Sequence, residues 1–382
     1  MKPGLYLDLP NDDYHSGPGV NKGLLDVVAR SPLHAKFVLE TANEDRPEPT
    51  PAMQLGTALH TLVLEPEAFA DLYVCELTQA DAPHAIADRD TLVRMVDALN
   101  EGRLDKLATS GAKDELVTRI FDAALEAAEC ADLTGLSVKE LKAEIERINE
   151  RRPGKLRTTG TMAELAAILA EHGQPVTLWQ DVKARWAAEN EGYTVLSVDT
   201  YEQLLGMRDA ILAHPAASAL LRGDGINEAS IYWTDHATGE LCRCRPDRLR
   251  ANGIIVDLKS TEDASPEGFA KSLINYRYHA QAPWYLAGAL EAHAAGHLPD
   301  GYAQPHAFVF IAVEKKAPYA VACYALDNES LEIGSRLIRA DLDMLHQCKR
   351  SGIWPGYGDG IQPLGVPEFY LRRNAHLIDG AA

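Results

Sequence analysis

Long apolar runs are missing from this 382-residue sequence: no stretch approaches the ~20 consecutive apolar residues that cross a bilayer, and Met1-Lys2-Pro3-Gly4-Leu5 lacks the apolar run of a secretory signal. Both absences predict a cytoplasmic protein with no membrane association. Clustered cysteine is missing too. The six cysteines (Cys75, Cys130, Cys242, Cys244, Cys323, Cys348) are scattered. The close pair, Cys242 and Cys244, is spaced so that a strand would put both on one face as small apolar fillers. Buried thiols are therefore expected, rather than disulfides or a thiolate metal site. No H-E-x-x-H or clustered Cys/His pattern occurs, which leaves a zinc hydrolase unsupported. Positive charge is scarce: 37 Lys and Arg against 56 Asp and Glu leave a net −19. That balance argues against broad, counterion-releasing contact with nucleic acid. A local basic groove or bound divalent cations can still reverse the field where it matters.

What is present suffices for an enzyme core plus an accessory module, with 46% hydrophobic and 24% charged residues. Three regions separate on pattern. Residues 1–77 hold a lead-in rich in turn formers (Asn11 to Gly19), then helical stretches around Gly23–Arg30 and Leu55–Leu64, broken by Pro32 and the prolines at 47–51. Residues 78–200 are rich in Ala, Glu and Leu and read as a helical insertion. Within it Ser110-Gly111-Ala112, Leu136-Ser137-Val138 and Thr159-Gly160-Thr161 recur at a period of about 25, each offering a helix cap. A basic run of Arg147, Arg151, Arg152, Lys155 and Arg157 lies between the second and third. Residues 201–382 alternate helix and strand signals, with strands near Ala229–Trp233, Leu241–Arg245, Gly253–Leu258 and Ala307–Val313. That order predicts a mixed α/β sheet flanked by helices.

The sharpest local signal is Gly253-Ile254-Ile255-Val256-Asp257-Leu258-Lys259-Ser260. Period two sends Ile254, Val256 and Leu258 to one face and Ile255, Asp257 and Lys259 to the other. Taken alone, Asp257 and Lys259 make either a salt bridge on an amphipathic strand or a catalytic pair. Upstream, Arg245-Pro246-Asp247 supplies a second acid, and the short connection lets Asp247 and Asp257 converge on one cation from adjacent antiparallel strands. Two carboxylates with the backbone carbonyl of Leu258 form a hard oxygen site suited to Mg²⁺, with Mn²⁺ able to substitute. Lys259 is then placed to orient or deprotonate an attacking water, and the chemistry expected is phosphodiester hydrolysis.

A P-D, a strand and then D-x-K resemble the signature of PD-(D/E)XK nucleases. Leu55-Gly56-Thr57-Ala58-Leu59-His60 is similar to the G-x-x-x-H helix of the RecB-like branch, and Gln281-Ala282-Pro283-Trp284-Tyr285 to its Q-x-x-x-Y helix. Flanking text such as Tyr14-His15-Ser16-Gly17-Pro18-Gly19-Val20, Leu62-Val63-Leu64-Glu65-Pro66-Glu67 and Tyr276-Arg277-Tyr278-His279-Ala280-Gln281 resembles the RecE (exonuclease VIII) family, over roughly 1–77 and 201–360. The resemblance implies a PD-(D/E)XK core with a helical insertion. It makes His60, Asp247 and Asp257 metal ligands and Lys259 the base or water-positioning group. His60 would bind as neutral imidazole, so metal affinity should fall below pH about 6.5. Some RecB-like nucleases carry an iron–sulfur cluster on four cysteines; the grouping is absent here and no cluster is expected.

Other candidates keep two readings each. Gln281 and Tyr285, four apart on one helical face, either contact the DNA strand or the lysine, or form a packed Tyr–Gln pair. Glu228 either binds metal or caps a sheet edge. Arg243, Arg245 and Arg248 either fork onto phosphates or bridge to neighbouring acids. Arg151, Arg152 and Lys155 belong either to SAP-like units touching DNA backbones or to a solvated charge run. The resemblance further implies a 5′-to-3′ exonuclease on double-stranded DNA ends, a ring-shaped homo-oligomer (trimer or tetramer) and a RecT-like single-strand annealing partner. The competing functions are an endonuclease on the same core and a decayed DNA-end-binding scaffold.

Overall fold

The computed structural model describes residues 1–41, 50–127 and 132–379. Two compact units emerge, Met1–Tyr73 with Leu196–Ala382, and Val74–Val195. The first unit opens with β1 (Gly4–Tyr6), α1 (Asn11–Ser16), α2 (Lys22–Arg30), α3 (Pro32–Thr41), α4 (Pro51–Leu64) and α5 (Pro66–Leu72), and the chain departs along β2 (Tyr73–Cys75). The turn-rich lead-in contains a helix, α1, ending at Gly17. Pro32 starts a helix rather than breaking one, because its missing N–H costs nothing in a first turn. Asn21 and Thr50 cap α2 and α4 by accepting from Leu24 N and Met53 N.

The second unit carries α6 (Arg89–Asn100), α7 (Lys113–Glu126), α8 (Val138–Glu150), α9 (Met162–Glu171) and α10 (Trp179–Glu189) before β3 (Thr194–Leu196). Ser137 with Glu140 and Thr161 with Glu164 form reciprocal capping boxes at α8 and α9. The first repeat departs from this pattern. Its helix starts after Ala112, whose N–H donates to Glu115 at 3.3 Å, while the Ser110 carbonyl accepts from Arg119. Leu116, Ile120, Leu141 and Ile145 join α7 to α8; Leu92, Val96, Leu165 and Leu169 join α6 to α9. The basic run is occupied inside the unit. Arg152 is buried with its guanidinium 2.5 Å from Glu126, Lys155 lies 3.5 Å from Asp105, Arg147 meets Glu144 at 2.7 Å and Arg157 meets Glu164 at 3.0 Å.

Returning to the first unit, the chain forms α11 (Val198–Ala213), α12 (Pro215–Leu221), β4 (Gly225–Asn227), β5 (Ser230–Thr234), β6 (Leu241–Cys244), β7 (Arg248–Arg250) and β8 (Ile254–Thr261). Then come α13 (Pro266–Asn275), α14 (Tyr278–Ala294), β9 (Ala307–Glu314), β10 (Val321–Ala325), α15 (Asn328–Ser351), α16 (Glu368–Arg373) and α17 (Ala375–Asp379). A five-stranded sheet runs β10-β9-β8-β7-β4, with β8 and β9 parallel and the other pairs antiparallel. A three-stranded antiparallel sheet runs β1-β5-β6. Parallel neighbours need a crossover, and α13 and α14 supply it between β8 and β9.

The alternation expected along β8 holds, but both faces are covered. Val256 and Leu258 enter a core with Leu59, Leu62, Leu204 and Met207 from α4 and α11. Ile255 enters the larger core on the other side, with Leu25, Trp284, Phe310, Leu342 and both Cys242 and Cys244. Cys348 is buried as well, and Cys130 lies outside the described residues. Pro283 sits inside α14 without interrupting it. Lacking an N–H, it leaves the carbonyl four residues back, His279 O, without its helical donor. Buried Gly334 of α15 packs against that carbonyl so closely that a Cβ would come to 1.7 Å, so only glycine fits.

Candidate metal centre

Two crossings between the sheets build the site. After β4 the chain turns at Glu228-Ala229 out of the five-stranded sheet and into β5 of the three-stranded one; after β6 it returns through Arg245-Pro246-Asp247 to β7. Glu228 N donates to Asp247 O at 3.1 Å, which ties the crossings together. Glu228 adopts φ 49°, the left-handed region that a non-glycine residue enters at a cost of order 1–3 kcal/mol and that concentrates at functional sites. Arg248 pairs with Val256. One residue on, Asp247 comes level with Asp257, and its Oδ2 accepts from Leu258 N at 2.6 Å.

His60 reaches the same point from α4. Its Nε2 lies 2.8 Å from Leu258 O, so the carbonyl expected to face a metal takes the imidazole N–H here. That tautomer, set by the hydrogen bond, leaves the Nδ1 lone pair 3.4 Å from Asp247 Oδ2 and 4.0 Å from Glu228 Oε1. The candidate ligand atoms of His60, Glu228 and Asp247 all lie within 4.8 Å of one another. Three acceptors converge with no donor among them, so a proton or a cation has to occupy the space between. Burial, reinforced by the Asp247 charge, pushes the Glu228 carboxyl up to about 9. The protonated acid is thus the form the metal-free site prefers.

Asp257 stands beside this trio rather than within it. Its side chain is 1% exposed; Oδ1 accepts from Gln281 Nε2 at 2.6 Å, and Oδ2 lies 2.6 Å from Lys259 Nζ but out of hydrogen-bonding alignment. Burial raises the Asp257 carboxyl to about 6 against the pull of Lys259. For Lys259 burial works against the charge, yet Asp257 and Asp247 outweigh it and hold the ammonium above the usual lysine range. The Lys259 ammonium also sits 5.0 Å from the centre of the Tyr278 ring. Gln281 therefore contacts the carboxylate, not the lysine, and Tyr285 packs edge-on against Phe308 at 5.9 Å.

The three arginines read either as phosphate forks or as partners of neighbouring acids instead donate to carbonyl, hydroxyl and amide oxygens. Arg243 donates to the carbonyls of Tyr14 and His15; Arg245 donates to Ser230 Oγ (2.8 Å) and Leu9 O (2.8 Å). Both guanidinium groups lie over the Tyr14 ring, at 4.8 and 4.2 Å from its centre, so Arg243 on β6 and Arg245 just past its end reach the same ring. Arg248 donates to Asn227 Oδ1 at 2.6 Å and Gly223 O at 2.5 Å. All three are buried. Their role in this structure is to fasten the N-terminal segment and β4, because each guanidinium can donate to several carbonyls and side-chain oxygens at once. Tyr14 and Tyr278 occupy no motif position of their own. No spacing rule marks an aromatic ring that comes to serve a cation from a distant element.

Residues 177–364 match the family model described as a PDDEXK-like domain of unknown function. The core has the PD-(D/E)XK nuclease fold. No curated protein matches the chain. Among solved structures, a protein named "putative exonuclease" from Eubacterium rectale is similar at 12% identity, over 61% of this chain and 85% of that one, with a TM-score of 0.34. The family match spans Glu228, Asp247, Asp257, Lys259, Gln281 and Tyr285 and leaves out His60, which the fold returns to the centre from α4. Nucleases of the PD-(D/E)XK fold typically use divalent metals, and the residues here fit one. Carboxylate oxygens and an imidazole nitrogen with its lone pair turned inward suit a hard or borderline divalent cation. Such a cation would relieve the convergence of acceptors. No helix among the described residues is long and apolar enough to cross a membrane.

Proposed function

We propose that this protein is a Mg²⁺-dependent exodeoxyribonuclease of the RecE type. It would hydrolyse linear double-stranded DNA from its ends, 5′ to 3′, in the cytoplasm, and leave single strand for a RecT-like annealing protein. The observation that carries the reading is the convergence of His60, Glu228 and Asp247 within 4.8 Å, beside the buried Asp257–Lys259 pair. Magnesium, with manganese able to substitute, would be held by Asp247, Asp257, His60 and Glu228 and would supply Lewis acidity at the scissile phosphate.

The chain's own residues do the rest. Asp247, anchored by Leu258 N, cannot swing away from the centre. Gln281 fixes the Asp257 carboxylate from the α14 side. Lys259, held as an ammonium, positions the attacking water and offsets charge growing on the phosphoryl oxygens; an ammonium does this without first losing a proton. The polarity, the ring-shaped homo-oligomer and the annealing partner follow from resemblance to RecE-like enzymes. A ring would gather basic surface inward and reconcile a net charge of −19 with a DNA substrate. Linear duplexes labelled separately at the 5′ and 3′ ends, incubated with and without Mg²⁺, test the proposal. Release of 5′ label first, only with metal, is expected. Cleavage of closed circles at the same rate would identify an endonuclease, and no digestion of either would refute a nuclease.

A further inference from the structure

Outside the metal centre, the corner between α13 and α14 is built more firmly than a connection needs. Arg277 adopts φ 52°, a left-handed backbone that a long side chain disfavours. It is held there by Asp26 (3.0 Å) and Asp341 (2.6 Å) from α2 and α15. Lys22 Nζ bonds both Tyr276 O and Asp26 Oδ2, each at 2.6 Å. The corner so fixed presents large apolar side chains to solvent: Tyr276 is 61% exposed and Ile274 71%. One side of Tyr276 is taken, since its ring stacks on Tyr278 at 5.5 Å with 26° between the planes. Tyr278 in turn lies near two ammonium groups, Lys259 at 5.0 Å and Lys22 at 5.9 Å from its ring centre. Lys259, Tyr278 and Tyr276 thus form a file that runs from the reacting centre to solvent and ends in an open aromatic face.

We infer that Tyr276, flanked by Ile274, is a stacking platform for an unpaired base of the DNA strand being cut. An aromatic face accepts any base because every base has a π-face. Holding a base two ring-steps from Lys259 would fix the phosphodiester next to it and separate a terminal nucleotide from its complement. The inference rests on the nuclease reading for the position of the cut, not for the stacking itself.

The test uses the full chain with Ca²⁺ in place of Mg²⁺, and duplexes whose three-nucleotide single-stranded ends carry either bases or abasic sugars. The wild type should bind the base-bearing end about tenfold more tightly, in line with stacking on one aromatic ring. Tyr276→Ala should bind both ends alike, and Tyr276→Trp should keep the preference. Lys259→Ala should keep it while losing digestion in Mg²⁺. Equal binding of the two ends by the wild type, or a preference that survives Tyr276→Ala, overturns the platform. Digestion in Mg²⁺ without a base preference overturns the platform alone. A preference without digestion refutes the nuclease reading and leaves the platform standing, and binding to neither end overturns both.

Discussion

Replacing Glu228 by glutamine should make the metal-free protein more stable at high pH and deaf to metal. In the folded chain the Glu228 carboxyl is raised from its ordinary 4.5 to about 9, by burial first and by the Asp247 charge second. The sign follows from linkage: between these values the fold binds a proton that the unfolded chain has released. Its contribution is therefore whole below pH 4.5 and is lost as pH rises through about 9. At about 1.36 kcal/mol per pH unit, the loss by pH 7.5 is bounded near 4 kcal/mol. Because a quarter of the side chain remains exposed and two further acceptors share the proton, screening brings the effect to about 1–2 kcal/mol. That corresponds to roughly 4 °C in melting temperature for a unit of this size. Melting curves in EDTA from pH 6 to 9 should fall more steeply for wild type than for Glu228→Gln, with the variant higher at pH 8.5. Added Mg²⁺ or Mn²⁺ displaces the proton, so it should stabilise wild type increasingly with pH and the variant little. Parallel curves in EDTA, or a variant less stable at pH 8.5, would refute the argument that three acceptors compete for one charge.

Further outcomes follow from the same contacts. Asp257→Asn and Lys259→Ala should each lower Mg²⁺-dependent digestion of linear duplex by about 10³-fold or more while circular dichroism stays native, since each removes a group placed at the reacting centre. Gln281→Leu should cost about 10- to 100-fold in turnover with little change in DNA affinity, because Gln281 acts through the Asp257 carboxylate. Gly334→Ala should destabilise the fold by at least about 2 kcal/mol in thermal melts, because its Cβ would meet the His279 carbonyl at 1.7 Å and backbone cannot yield as a side chain does. Arg245→Ala should lower melting temperature without a selective change in the salt slope of DNA binding, whereas a phosphate contact would reduce that slope by about one.

The sequence displays some of this fold because periodicity is a local property, and hides other parts because the site is not. The long strands Ile254–Thr261 and Ala307–Glu314 are legible from alternation, as the expected strands near Gly253–Leu258 and Ala307–Val313. The three-residue strands β1, β4 and β7 are not, since three residues carry no period and their pairing is decided by β5, β7 and β8 across the sheets. Those short strands make the site. Glu228 and Asp247 meet because the chain changes sheets twice, and a left-handed backbone at Glu228 is written in no pattern of side chains. The arginines show the converse failure. Arg243, Arg245 and Arg248 look like phosphate ligands because sequence exposes their charge and conceals their burial. In the fold their fork-shaped donors reach Tyr14 O, Leu9 O and Gly223 O, backbone acceptors on the N-terminal segment and just before β4. A cluster of arginine beside an acidic motif in a sheet-crossing segment thus has two physical uses, and the acceptors within reach of each guanidinium decide between them. Lys259 and Lys22, 5.0 and 5.9 Å from the centre of the Tyr278 ring, are likewise paired, with Asp257 and Asp26, so charge read from the sequence alone marks none of these cations as a phosphate contact.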